Sequence, residues 1–216
     1  MPALPRRFFA RPADELAPAL LGHRLIRTED DGSITAGLIV ETEAYLGVID
    51  KAAHTYGGHR SPRVESMYAR PGTAYVYFTY GMHHCLNASA AAPGDPQAVL
   101  IRAIEPTDGL DRMRDRRPAA RRDRDLTSGP AKLCQALGVD RDLDGVDLAS
   151  RDSPLRIVRA TASSSQTAPI VTGPRIGIAS AEDWADRPLR FWLHGHPCVS
   201  RTPAGKSGMD APSIAG

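Results

Sequence analysis

The segment AYVYFTYGMHHCLNAS, residues 74–89, is the strongest constraint on how this chain can fold. Residues 74–80 are rich in aromatic and β-branched side chains, and 83–89 resume in the same vein after Gly81. That is a β-hairpin with a short turn near Tyr80, Gly81 and Met82. A turn cluster, APGDPQ (92–97), leads into a further strand, AVLIRAIEP (98–106). Upstream, residues 23–30 and 34–45 read as two more strands joined at Asp30-Asp31-Gly32. Strands in hairpin-like succession with few helices between them predict an antiparallel α+β domain and argue against a doubly wound sheet.

Helices are few. ADELAPALLG (13–22) reads as a short one with Asp14 near its start and Gly22 as its stop. SGPAKLCQALG (128–138) is better marked: Ser128 is placed to cap, Pro130 falls in the first turn, and Gly138 ends it. Downstream, 155–159, RIGIAS (175–180) and LRFWLHG (189–195) read as strands, with a helical turn at AEDWA. TASSSQTAP (161–169) is polar and expected to be mobile. At 216 residues the chain fits one domain, assigned to 1–201, with 202–216 as a disordered tail that has almost nothing to bury.

Composition excludes some classes. No run approaches the ~20 apolar residues of a membrane helix. The basic start, MPALPRRFFARP, lacks the apolar centre of a secretion signal. Three cysteines, Cys85, Cys134 and Cys198, are few and odd in number, which suits a reducing compartment. Of the 27 basic residues, 24 are arginine, because only Lys51, Lys132 and Lys206 are lysine. Residues 112–124 hold seven arginines and two aspartates, a local charge of +5. Guanidinium forks match phosphate geometry, but a solvated surface segment reads the same way.

The stretch IVETEAYLGVIDKAAH (39–54) poses the chemical question. Period two puts Glu41, Glu43 and Tyr45 on one face of an otherwise apolar strand. A carboxylate there must be stabilised by a partner. Arginines across the sheet would satisfy both glutamates. Alternatively, one glutamate is a general base in a pocket walled by Tyr45 and His54. In the hairpin, Tyr75 and Phe78 suit a core, whereas a tyrosine at the tip, Tyr80, is suited to wedging between stacked bases. Asn87 needs a hydrogen-bond partner if buried. His194, His196 and Cys198 are a weaker metal-site candidate, since Gly195 and Pro197 interrupt regular strand geometry.

Taken together, VETEAYLG (40–47), AAH (52–54), PGTAYVYFTYGMHHCLN (71–87), VLIRAIEP (99–106), LTSGPAKLCQALG (126–138) and RIGIASAEDWADRPLRFWLHGHPCVS (175–200) resemble the alkyladenine, or methylpurine, DNA glycosylase family. The stretches occur in family order and span roughly residues 8–201. The resemblance implies a single domain built on a curved, mainly antiparallel sheet with surrounding helices. It implies a monofunctional enzyme of base excision repair that flips a damaged purine out of duplex DNA and hydrolyses its N-glycosidic bond. It carries Glu43 over as the general base that activates water, and Arg102 as the arginine that holds this water. Tyr45 and His54 carry over as residues stacking on the flipped base, with Tyr77 on its other side. Asn87 becomes the pocket asparagine that crowds guanine's exocyclic amine. Tyr80 becomes the residue that fills the emptied stack, with Met82 beside it on the DNA. A backbone carbonyl between Ile176 and Ile178 is the expected further water ligand.

The same resemblance implies no metal or other cofactor, double-stranded DNA with a damaged purine as partner, no membrane, a monomer, and a location in the bacterial cytoplasm and nucleoid or in a nucleus. Alkylated purines are the expected substrates, with deaminated and etheno-modified purines as further candidates. SAAAPGDPQ (89–97) is longer than the family pattern, and His83 and His84 stand where aromatics are usual. Those departures bear on damage preference. The competing reading is a protein that binds damaged or abasic DNA without cleaving it.

Overall fold

The computed structural model describes residues 2–79, 81, 83–160 and 168–200, and the backbone of 209–210. Among the described residues, five short helices, α1 Arg6–Phe9, α2 Ala13–Leu20, α3 Leu110–Arg116, α4 Asp123–Thr127 and α5 Pro130–Leu137, surround one sheet. Its strands are β1 Arg24–Thr28, β2 Ile34–Tyr45, β3 Ala74–Thr79, β4 His83–Ser89, β5 Ala98–Asp108, β6 Leu155–Val158, β7 Ile170–Gly173, β8 Arg190–Leu193 and β9 Met209–Asp210. The order is β3-β4-β5-β2-β8-β7-β9, with β1 bridging β2 and β6, and each pairing is antiparallel. The expected α+β, single-domain architecture with a curved antiparallel sheet is what forms.

The twelve-residue β2 is the spine of the sheet. Its first half pairs with β1 and its second half with β8, while β5 runs along its other edge. Gly37 is required where β5 comes close: a Cβ there would lie 2.4 Å from the Glu105 carbonyl oxygen. The β2–β5 register slips again between Ile39 and Glu41 and between Glu41 and Thr42. Thr42 faces α2, its hydroxyl donating to the Ala17 carbonyl at 2.9 Å. Glu41, Glu43 and Tyr45 alternate with Thr42 and therefore take the opposite face.

The main core packs Leu16 and Leu20 of α2, Ile39 and Ile101 of the sheet, Leu86 of the hairpin and Leu133 and Leu137 of α5. Fully burying such a side chain contributes roughly 1.5–3 kcal/mol. This is what holds the spine rigid under the opposite face.

Some local expectations change. Ser128 does not cap α5: Gly129 occupies the N-cap with no side-chain bond, and Ser128 instead makes a bridge to Ala103. RIGIAS is not a strand. The strand forms earlier, at Ile170–Gly173, because Arg175 and Ile176 are drawn to carboxylates and Gly177 turns the chain at φ 81°. The arginine-rich stretch forms α3 and α4, which sequence periodicity did not suggest. Residues 161–167, most of the stretch expected to be mobile, lie outside the described residues. So does the tail assigned to 202–216, except that the backbone of Met209 and Asp210 pairs with Thr172 and Val171.

Candidate active site

One row of residues runs across five strands: Tyr75, Asn87, Leu100, Glu43 and Arg190 are successive register partners on β3, β4, β5, β2 and β8. Arg102 sits where β5 bulges, between Ile101 opposite Thr42 and Ala103 opposite Glu41. A bulge re-aims a side chain. Here it lets one guanidinium reach both glutamates.

Both glutamates are wholly buried, at 0% exposure. Arg102 donates from Nε to Glu41 Oε1 at 2.9 Å and places Nη1 3.1 Å from Glu43 Oε1. Glu43 Oε1 also accepts the Ile176 backbone N–H at 2.8 Å, and Glu43 Oε2 accepts the Tyr45 hydroxyl at 2.9 Å. Oε1 thus meets two donors and Oε2 one. Burial alone would pull the Arg102 proton affinity down, but Glu43 and Glu41 outweigh it and leave the guanidinium more firmly charged than usual. Burial, reinforced by the Glu43 charge, pushes the Tyr45 phenol well above its ordinary value, so it remains a donor.

Above this cluster lies a cavity of about 230 Å³. Tyr45, His54, Tyr77, Asn87, Arg102 and Ile176 are among its walls. Glu43 is not, but three of those walls, Tyr45, Arg102 and Ile176, touch it directly. Tyr77 stacks on Tyr75 with centroids 5.3 Å apart, and His54 meets Tyr77 edge-on at 4.6 Å. His54 Nδ1 lies 2.8 Å from the Tyr75 hydroxyl. Burial, then the charges of Arg63 and His59, lower the His54 proton affinity and favour the neutral ring. A neutral imidazole wall does not repel a cationic guest. Asn87 finds its partner by donating to the Tyr75 carbonyl at 3.1 Å.

The structure thus gathers Glu43, Arg102, Tyr45, His54, Tyr77 and Asn87 around one slot. Tyr80 and Met82 lie outside the described residues, and the hairpin between them turns at Gly81. The His194–His196–Cys198 grouping does not assemble. β8 ends at Leu193, His196 Nε2 lies 3.4 Å from Glu105, and no metal-holding group of three occurs among the described residues. Sequence reasoning missed the pair behind the slot. Arg175 forks onto Asp50 at 2.5 and 2.9 Å, and its guanidinium lies over the Tyr45 ring, 4.7 Å from the centroid. The two are 125 residues apart, and nothing local in the chain signals their meeting.

The fold and the slot define a single-domain α+β protein with a narrow, ring-walled pocket set over a buried ion cluster. The family model for methylpurine-DNA glycosylases matches residues 7–197. A Mus musculus protein named DNA-3-methyladenine glycosylase is 46% identical over 213 residues, covering 95% of this chain and 63% of its own length. A Homo sapiens protein of the same name is 45% identical over 201 residues, covering 89% and 66%. A Bacillus cereus relative is 44% identical over 202 residues, covering 91% and 98%. The chain therefore belongs to the methylpurine-DNA glycosylase family, and it spans about two thirds of the length of the mouse and human relatives it matches.

Proposed function

We propose that the protein is a monofunctional DNA glycosylase that takes an alkylated purine out of duplex DNA and hydrolyses its N-glycosidic bond. The observation that carries the reading is the placement of the Glu43 carboxylate, paired with Arg102, immediately behind a slot walled by Tyr45, His54 and Tyr77. Electron-rich rings favour a cationic base between them. Alkylation at N3 or N7 gives the purine that charge and makes it a good leaving group. As the bond breaks, the sugar acquires oxocarbenium character, which a nearby carboxylate stabilises while taking a proton from water.

Glu43 is covered in the free protein, so the everted nucleotide has to part the Tyr45 hydroxyl from Oε2 before water can reach it. Arg102 keeps the carboxylate oriented during that exchange. The Ile176 N–H occupies Oε1, which supports the backbone near Ile176–Ile178 as the remaining shell of the water. Everting a base costs a few kcal/mol, least for a weakened pair, so selection for damage begins in the duplex.

Beside the slot, at the first turn of α5, a second cleft is lined by Arg122, Arg124, Asp125, Ser128 and Lys132. Its cations suit the phosphate backbone, and contacts of that kind give affinity without reading sequence. Among the described residues no helix is long and apolar enough to cross a membrane. Deaminated and etheno-modified purines, and action as a monomer, belong to the same proposal.

The test is incubation with a duplex carrying one methylated purine, followed by alkaline cleavage of the abasic strand. Release of the free base with a nick only after alkali is the expected result. The covering of Glu43 favours one other reading, retention of a flipped base or abasic site without cleavage. Tight lesion binding with no base released would establish that reading instead.

A further inference from the structure

The buried cluster holds one acid that the proposed reaction does not use. Glu41 Oε1 accepts Arg102 Nε at 2.9 Å, Arg190 Nε at 2.7 Å and the Ser200 hydroxyl at 2.7 Å, and Oε2 accepts the Ser200 N–H at 2.7 Å. Arg190, 1% exposed, also donates to the Ser200 carbonyl at 3.1 Å. Two carboxylates and two guanidiniums therefore share a buried volume behind the slot. Arg102 reaches Glu43 with Nη1 because its Nε edge is already held by Glu41.

We propose that Glu41 is a positioning residue with an electrostatic role: it holds Arg102 in register against Glu43 and keeps the cluster at zero net charge, so that a cationic nucleoside is tolerated in front of it. The proposal rests on the hydrolytic reading of Glu43. Without the Glu41 charge the cluster would be +1, and a second positive charge would have to form nearby. At ~10 Å and an effective dielectric of about 20 that repulsion is large enough to show in binding.

A purely structural role, tying the Pro197–Ser200 segment to the sheet, would affect all ligands alike. The test therefore compares two abasic duplexes, one with a protonated pyrrolidine in place of the sugar and one with neutral tetrahydrofuran. Glu41→Gln is expected to reduce the preference for the charged duplex by about tenfold, equivalent to about 1.4 kcal/mol. Glu41→Asp, which keeps the charge but shifts the guanidinium, should keep that preference and lose excision rate. Arg190→Gln should raise the preference by a similar factor, and the charge-balanced double variant Glu41→Gln/Arg190→Gln should return it to the wild-type value.

If Glu41→Gln does not fold, the Arg190→Gln and double variants carry the measurement. A preference unmoved by these changes overturns the proposal, and so does a cluster whose every variant fails to fold. Failure of the Glu43 assignment is separable: it would appear as undiminished excision by Glu43→Gln, while these affinities are measured without any cleavage.

Discussion

Two of the arginine–acid groups in this molecule differ sharply in what surrounds them. Behind the slot, Arg102 and Arg190 share Glu41 and Glu43 with almost no solvent contact. Along α3 and α4, Arg112 pairs with Asp31, Arg114 with Asp111 and Asp123, and Arg122 with Asp125, mostly in water. Residue types and distances are alike in the two places. Exposed pairs are screened and contribute little, whereas a buried charge that loses its partner is heavily penalised. The surface segment can therefore vary with small effect, while the inner cluster is constrained at every atom. The inner cluster lies directly behind the slot, so a local field there acts on a guest instead of on bulk water.

The largest effect expected from this contrast is catalytic. Glu43→Gln keeps the shape of the side chain and one acceptor oxygen for the Arg102 and Ile176 donors but cannot take a proton. Single-turnover excision should fall by about 10²- to 10⁴-fold, with lesion binding largely kept. An unchanged rate would remove Glu43 from the mechanism. Next is Arg102→Met, which leaves two buried carboxylates without their shared cation. A loss of about 3–5 kcal/mol in urea-unfolding stability is expected. A loss below about 1 kcal/mol would mean the inner cluster behaves like the surface one, and the contrast would fail.

The alternation of Glu41, Glu43 and Tyr45 was readable from β2 because period two survives on the stretch after the bulge. The hairpin was equally readable, since Gly81 separates two stretches of strand-forming residues. Only the family resemblance singled out Glu43; strand periodicity could not tell which glutamate lies directly behind the slot walls and which is held by Ser200. That outcome depends on the β5 bulge at Arg102 and on Ser200, 159 residues from Glu41. Residues 175–178 were misread for a related reason. Ile and Gly alternate as in a strand, but the backbone there binds a carboxylate instead of a neighbouring strand. The arginines of 112–124 left solvated surface and phosphate site equally open. Their pairing with nearby acids resolves much of it toward surface, with Arg124 and Lys132 beside the Arg122–Asp125 pair at a cleft.

A smaller effect probes burial without a counter-charge. His23 packs edge-on against Phe8 with centroids 5.2 Å apart, and its Nδ1 has no hydrogen-bond partner among the described residues. Burial, then the charges of Arg159 and Arg11, lower its pKa to about 4. The unfolded chain takes up the proton near the ordinary value of 6.5, before the folded chain does. Stability is therefore full above pH 6.5, declines between 6.5 and about 4, and levels off below. The contribution is on the order of 1 kcal/mol once the partly exposed ring is discounted. Urea midpoints of wild type and His23→Gln across this range would show it as a difference in slope. Parallel curves would mean the ring is solvated.

The smallest effect belongs to the outer cluster. Arg114→Ala removes two exposed ion pairs, to Asp111 at 2.6 Å and to Asp123 at 2.8 Å. It should leave the unfolding midpoint where it is. It should also leave the salt dependence of DNA binding nearly unchanged, because two aspartates already neutralise that arginine. Lys132→Ala is the informative partner. Lys132 lines the basic cleft in the first turn of α5, and its loss should reduce the slope of log affinity against log salt by about 1, the signature of one phosphate contact. If Arg114→Ala lowers the slope as much as Lys132→Ala, its aspartates give way when DNA arrives. The outer cluster would then be a phosphate site held closed by its own acids, and the division between an inert surface and a working interior would have to be redrawn along α3.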